Sequence, residues 1–284
     1  MNTHSILQRY DLHAIQQRVK WTVYAILIFN FSFYVLDDME LARHSLREGA
    51  SFLEWTTTFA TTIDELAWFM LLFLFELETY ALSDDAFEGR TAILIHAVRL
   101  ICYAFLAHTI YAYVGEVHAL MQAVPLSGIN DLCQLAEQGV SFTYNLAYTV
   151  VEQSNCSTLS TGTLFFPVDS NSLVTDNGGM AISRTLAWID LAEASIWLLI
   201  VFLIEFMVIM QNRGISSGRF VTAANVVKPV LYVSLLLLSV YWGMQGHWLF
   251  VWDELIWIGG FIAIEMNVVE WRGEMQDEEL KPAD

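Results

Sequence analysis

The chain has 284 residues, of which 56% are hydrophobic and 15% charged, with a mean hydropathy of +0.47 and a formal net charge of −18. That is too apolar for a water-soluble domain and fits a polytopic membrane protein. The excess of 31 acidic over 13 basic side chains excludes electrostatic attraction to nucleic acid and disfavours anionic substrates.

Six apolar runs, near residues 19–36, 63–82, 92–114, 186–210, 226–244 and 248–269, match the roughly 17 to 25 residues that a helix needs to cross a bilayer. The N-terminal stretch carries Arg9, Arg18 and Lys20 without a small-residue cleavage site after its first apolar run, so that run is expected to be an uncleaved anchor. Basic residues of the N-terminal tail and of the 211–228 loop (Arg213, Arg219, Lys228) place both termini in the cytoplasm of a multi-pass cell-membrane protein. The opposite, outer segments, 37–65 and 115–193, are acidic, with only Arg43, Arg47 and Arg184 against them. Such a rim concentrates cations; a solubilising acidic surface is the plainer reading.

The first outer segment, "DDMELARHSLREGASFLEW", suggests an interfacial helix. Beyond it the second, fourth and sixth spans share one pattern, [DE]-x3-W-x7-E: Asp64, Trp68, Glu76; Glu193, Trp197, Glu205; Asp253, Trp257, Glu265. The first, third and fifth share V-[KR]-x3-Y, giving Lys20 and Tyr24, Arg99 and Tyr103, Lys228 and Tyr232, with an aromatic ten residues further on at Tyr34, Tyr113 and Trp242. From Glu76 to Gly89, Arg90, Arg99 and Tyr103 the offsets are 13, 14, 23 and 27, and they recur from Glu205 to Gly218, Arg219, Lys228 and Tyr232. Apolar composition alone does not align glutamates. The pattern predicts an all-α membrane protein of one domain, its six helices forming three repeated hairpins, 18–82, 92–210 and 226–270, around a pseudo-threefold axis.

On a helix the two acids and the Trp of each pattern fall within one broad stripe, the acids about 18 Å apart. That spacing puts the first acid at the outer water interface, the Trp in the interfacial belt and the Glu deeper in the bilayer. The Lys or Arg of the partner helix enters from the cytoplasmic edge, with its Tyr one turn deeper. Glu76, Glu205 and Glu265, tuned by Lys20, Arg99, Lys228, Tyr24, Tyr103 and Tyr232, are therefore the candidate ion-binding or transport residues. Secondary candidates are His96, which is able to shuttle protons near neutral pH, Glu78, Asp64, Glu193 and Asp253. The last three have a simpler explanation as acids near helix N-termini.

The outer loop 115–185 breaks the threefold regularity. Within it "INDLCQLAEQGVSFTYNLAYTVVEQ" reads as an amphipathic helix starting at Asn130 or Asp131, and "LFFPVDSNSLVTDNGG" as a turn or short hairpin. Cys133 and Cys156 are its two cysteines, on the oxidising side, and are expected to form a disulfide; Cys102 lies in a span. "NCS" at 155–157 matches a glycosylation sequon. The tail 271–284 is short and acidic.

No cofactor is indicated: a second span with an axial His for haem is lacking, and the last span has no lysine for a retinal Schiff base. Phosphate-cradling loops, zinc motifs and nucleophile elbows are missing too, so an enzyme is not expected. Two functions remain. The first is channel-like or exchange transport of a small cation or a proton along the repeated glutamates. The second is a non-catalytic membrane subunit or scaffold whose Glu–Lys/Arg pairs are structural and whose outer loops bind a partner. The lipid bilayer is a partner in either case, and a homo-oligomer or membrane complex is compatible with both. Pairing separates them: glutamates capped by cations indicate the scaffold, glutamates facing a hydrated path indicate transport.

Overall fold

In hydrocarbon every backbone N–H and C=O has to be bonded within its own segment, so long apolar runs fold as helices. The computed structural model describes residues 12–77, 89–162, 164–168, 172–212 and 218–262. The protein is mostly helical. The long helices are α1 (Leu12–Ser45), α3 (Ala60–Glu76), α4 (Arg90–Gln122), α6 (Asn177–Asn212) and α7 (Arg219–Met244), followed by α8 (248–262). Among the described residues four helices are long and apolar enough to cross a membrane, five if the bent pair of the short α2 (Phe52–Thr58) and α3 is one span. Glu78, Glu265 and the tail 271–284 lie outside the described residues.

The chain divides into two units, Phe33–Ala224 and Met1–Ser32 with Asn225–Asp284. In the first, α3 packs on α4 and α4 on α6. Two boundaries differ from expectation. The sequence suggests an interfacial helix over 37–55, but α1 continues through Ser45 and only Phe52–Thr58 forms a separate helix. That helix starts with a capping box, Glu54 N–H donating to Ser51 Oγ at 3.2 Å and Ser51 N–H to Glu54 Oε2 at 2.6 Å. At Phe59 the chain bends by 72° into α3. Similarly α6 starts at Asn177 rather than near 186. Asp176 Oδ1 accepts the Gly179 N–H at 2.8 Å there, which satisfies one of the first-turn donors.

The segment between α4 and α6 is not an amphipathic helix. Only a single 3-10 turn, Leu132–Gln134, forms near its start, capped by Asp131 Oδ1, which accepts the Cys133 N–H at 2.7 Å. "SFTYNLAYTV" is rich in aromatic and β-branched residues around a turn-forming Asn, which is strand rather than helix chemistry. It folds as β1 (Ser141–Tyr144) and β2 (Ala147–Val150), joined by Asn145 and Leu146, both at positive φ (52° and 61°) as a two-residue hairpin turn requires. The hairpin expected in 164–179 is present as β3 (Phe165–Pro167) and β4 (Leu173–Asp176). The sheet order is β2-β1-β4-β3, with β1 and β4 parallel. A short helix, α5 (Cys156–Leu159), lies under it.

Leu132, Leu135, Val140, Phe142, Val151, Phe165 and Val174 pack around Cys156, which is disulfide-bonded to Cys133 as expected. The Asn155 side chain of the sequon is engaged inside this lobe: its Oδ1 accepts the Glu152 N–H at 2.8 Å and its Nδ2 donates to Val150 O at 2.9 Å. The lobe is tied to the end of α1. His44 Nδ1 lies 2.8 Å from Ser141 Oγ, the His44 ring stacks on Tyr148 at 5.5 Å, and Arg47 Nε donates to Ser172 Oγ at 2.9 Å. Arg184 of α6 donates to the Leu120 and Ala123 carbonyls, at 2.9 and 3.3 Å, and so satisfies acceptors at the end of α4.

Candidate functional site

Indole N–H groups donate and carboxylates accept, and residues four apart on a helix face each other. The D-x3-W half of the repeat uses this directly: Trp68 Nε1 donates to Asp64 Oδ2 at 3.1 Å. Trp68 then meets Trp197 of α6 edge to face, ring centroids 6.1 Å apart. These tryptophans face neighbouring helices. Trp68, Trp197 and Trp257 are only 7%, 9% and 7% exposed, because their large apolar rings fill the interior between helices.

Of the first acids of the pattern, Asp253 is buried, whereas Asp64 and Glu193 are partly exposed. In the second unit Asp253 is 4% exposed and accepts from Asn30 Nδ2 at 2.7 Å, with Asn30 1% exposed. Their explanation by the helix dipole also fails. Glu193 lies well inside α6, which starts at Asn177, and the first turn of α3 holds no acid. What acts at that N-terminus is Asp38 of α1, whose Oδ2 accepts the Thr62 N–H at 2.8 Å.

Asn30 and Thr109 were not singled out by sequence, although both stand six residues after the repeat tyrosine, Tyr24 or Tyr103. Fully buried Thr109 adjoins the Asp64 carboxylate. Thus in each unit a polar residue six positions after a pattern tyrosine, Asn30 of α1 or Thr109 of α4, meets an acid that begins a [DE]-x3-W-x7-E pattern, Asp253 or Asp64. The third repeat has Leu238 at that position, followed by buried Ser239, which hides the signal. Tyr113, the aromatic ten residues after Tyr103, lies 3.4 Å from Thr61 Oγ1.

At the other end of the pattern the Tyr103 O–H donates to Glu205 Oε1, across α4 and α6, and Arg99 acts electrostatically on the same phenol. The structure therefore brings together Arg99, Tyr103 and Glu205 of the second repeat. Glu76 is partly buried at the end of α3; Lys20, Tyr24 and Lys228 are partly buried and Tyr232 is buried. Lys20 Nζ lies 5.8 Å from the Trp21 ring centroid. His96 is exposed on α4.

Acids also gather where the lobe meets the helices. The Tyr148 phenol is pushed well above its ordinary range by burial first, then by Glu116, Asp37, Asp38 and Glu40. Asp131 beside the disulfide is the third member of a cluster with Cys133 and Cys156, but its carboxylate caps the 3-10 turn and accepts from Ser160 Oγ at 3.0 Å, a structural use.

No protein family, no curated protein and no solved structure matches the chain. The fold defines a class: a mostly helical protein with several helices long and apolar enough to cross a membrane, and a disulfide-bonded lobe inserted between two of them.

Proposed function

We propose that this is a multi-pass cell-membrane transporter or channel that passes a small cation or a proton along acids of its helical bundle. Six spans form three hairpins with both termini in the cytoplasm, and the lobe lies outside. One observation carries the reading. Four of the described acids accept from neutral groups, Asp38 from a backbone N–H, Asp64 from an indole, Asp253 from an amide and Glu205 from a phenol, whereas Glu40 at the end of α1 accepts from Arg43.

A scaffold held by ion pairs calls for Lys or Arg in those places. A neutral donor positions a carboxylate without adding positive charge of its own, which favours a proton or a cation as the exchanged species. The symmetric use of Asn30 and Thr109 supports the repeat, since each joins an odd-numbered span to the even-numbered span of the preceding hairpin, taken cyclically.

The test is flux into liposomes under proton, sodium, potassium and calcium gradients, comparing the wild type with Glu76→Gln, Glu205→Gln and Glu265→Gln. Flux in the wild type that is lost in correctly inserted variants supports transport. A wild type that carries none of these ions, with variants that only lose stability, moves the assignment to the partner-binding scaffold.

A further inference from the structure

We infer that the species held by the bundle is the proton, and that Glu205 with Tyr103 holds it. This rests on the transport reading and narrows its substrate. Tyr103 and Glu205 come from different helices and are joined by a hydrogen bond in which the phenol donates. A hydroxyl is both donor and acceptor, so one tyrosine serves the carboxylate and the carboxylic acid alike. With Glu205 ionised, Tyr103 donates. When hydronium delivers a proton, one O–H bond of hydronium breaks, one O–H bond forms on the Glu205 carboxyl, and water leaves. The new O–H then donates to the Tyr103 oxygen as the phenol hydrogen turns away. No other group has to move.

Arg99 stands one turn before Tyr103 on α4 and acts on the same phenol.

A metal ion asks for more. Calcium takes six to eight oxygen ligands and magnesium a near-ideal octahedron. Among the described residues Glu205 belongs to no group of three acid, histidine or cysteine ligands able to share an ion. A proton binds covalently to one oxygen and needs only the second partner that Tyr103 provides.

The experiment uses the full chain in liposomes and records infrared difference spectra between acidic and neutral buffer, in H2O and D2O. The expected result is a protonated-carboxyl C=O band that shifts in D2O, is lost in Glu205→Gln, moves to another frequency in Tyr103→Phe and is untouched by sodium, potassium or calcium at constant pH. The inference is overturned if no such band exists, if it survives in Glu205→Gln, if it stays in place in Tyr103→Phe, or if any of those ions removes it. Tyr103→Phe keeps the ring, so it reports even if Glu205→Gln does not fold. A band that behaves as expected in liposomes that pass no ion leaves the proton site standing and sinks the transport reading instead.

Discussion

Removing the Cys133–Cys156 bridge is expected to open the lobe and leave the long helices intact. The bridge joins residues 23 apart in sequence. Confining a loop of that length in the unfolded chain stabilises the fold by about 3 kcal/mol at 25 °C on the loop-entropy relation. Cys156 is 1% exposed within the lobe core, so replacing it by alanine also removes packed sulfur and adds a cavity cost of order 1 kcal/mol. Against this stand four strands of three or four residues and a small core. A core of that size supplies only about 3 to 5 kcal/mol, so the bridge decides the balance.

The assay is amide hydrogen exchange on the Cys133→Ala/Cys156→Ala protein in micelles. Amides of β1 and β4 should exchange about a thousandfold faster, the factor that ~4 kcal/mol of lost local stability implies, while α4 and α6 keep their protection. If β1 and β4 keep theirs as well, the sheet and its ties to His44 and Arg47 suffice, and the reasoning from loop entropy is wrong.

Asn30→Leu should lower the stability of the bundle by about 2 kcal/mol. The cost lies nearer the value for a hydrogen bond to a charged group than the ~0.6 kcal/mol average for bonds in membrane bundles, because both partners are buried. Thermal unfolding in detergent, in a double-mutant cycle with Asp253→Leu, measures it, and additive losses would show that the two residues are not coupled. Gly179→Ala should cost about 1 to 3 kcal/mol, because a Cβ there collides with Thr175 Oγ1 and disturbs its 2.6 Å bond to the Thr143 carbonyl; a variant as stable as wild type would show that Thr175 turns aside freely. Leu146→Gly should stabilise the β1–β2 hairpin by about 1 kcal/mol, since a leucine at φ 61° is held in the left-handed region that glycine enters without strain. Slower exchange at Thr143 and Tyr148 is the expected sign, and faster exchange would mean that the side chain contributes more than the backbone strain costs.

The long apolar helices and the disulfide were legible from composition and cysteine position, because hydrophobic length and an isolated cysteine pair depend on few other facts. The pairing of Tyr103 with Glu205 was legible in kind, since the repeat placed tyrosine and glutamate on adjoining spans at compatible depths. The surroundings of the acids were not. Placing Asp253 at the water interface and Trp68 in the interfacial belt treated each helix as if it faced lipid and solvent alone, whereas a buried ring or a buried amide on a neighbour is a tertiary fact. The strands were missed because the period-2 run "SFTYNLAYTV" was absorbed into a helical reading begun at Asp131, despite its content of β-branched and aromatic residues. Asn30 was hidden by being an uncharged polar residue in an apolar run.

Helix length argues for two separate environments for the acids. A helix of 33 residues such as α4 is about 50 Å long, while a bilayer's hydrocarbon core is about 30 Å thick. As membrane spans, α4 and α6 would therefore project from the bilayer, and the disulfide lobe would sit on their projecting ends. The acids that surround Tyr148, namely Glu116, Asp37, Asp38 and Glu40, belong to this end. Glu116 and Asp37 are exposed there, where water and counterions screen their charges, while buried Asp38 is held by the Thr62 N–H. Tyr103, with Glu205, lies further along α4: thirteen residues separate Glu116 from Tyr103, about 20 Å at helical rise. A single carboxylate with a neutral donor and one nearby guanidinium suits a less hydrated setting, where a cluster of acids does not. A path for protons or cations would thus pass from a crowded acidic mouth to a single-acid station, and the mouth would set how many ions arrive while the station would set which are accepted. Charge-neutralising substitutions at Glu116 and Asp37 should then weaken the dependence of flux on ionic strength without changing which ion is carried, and a change of selectivity in those variants would place the choice at the mouth instead.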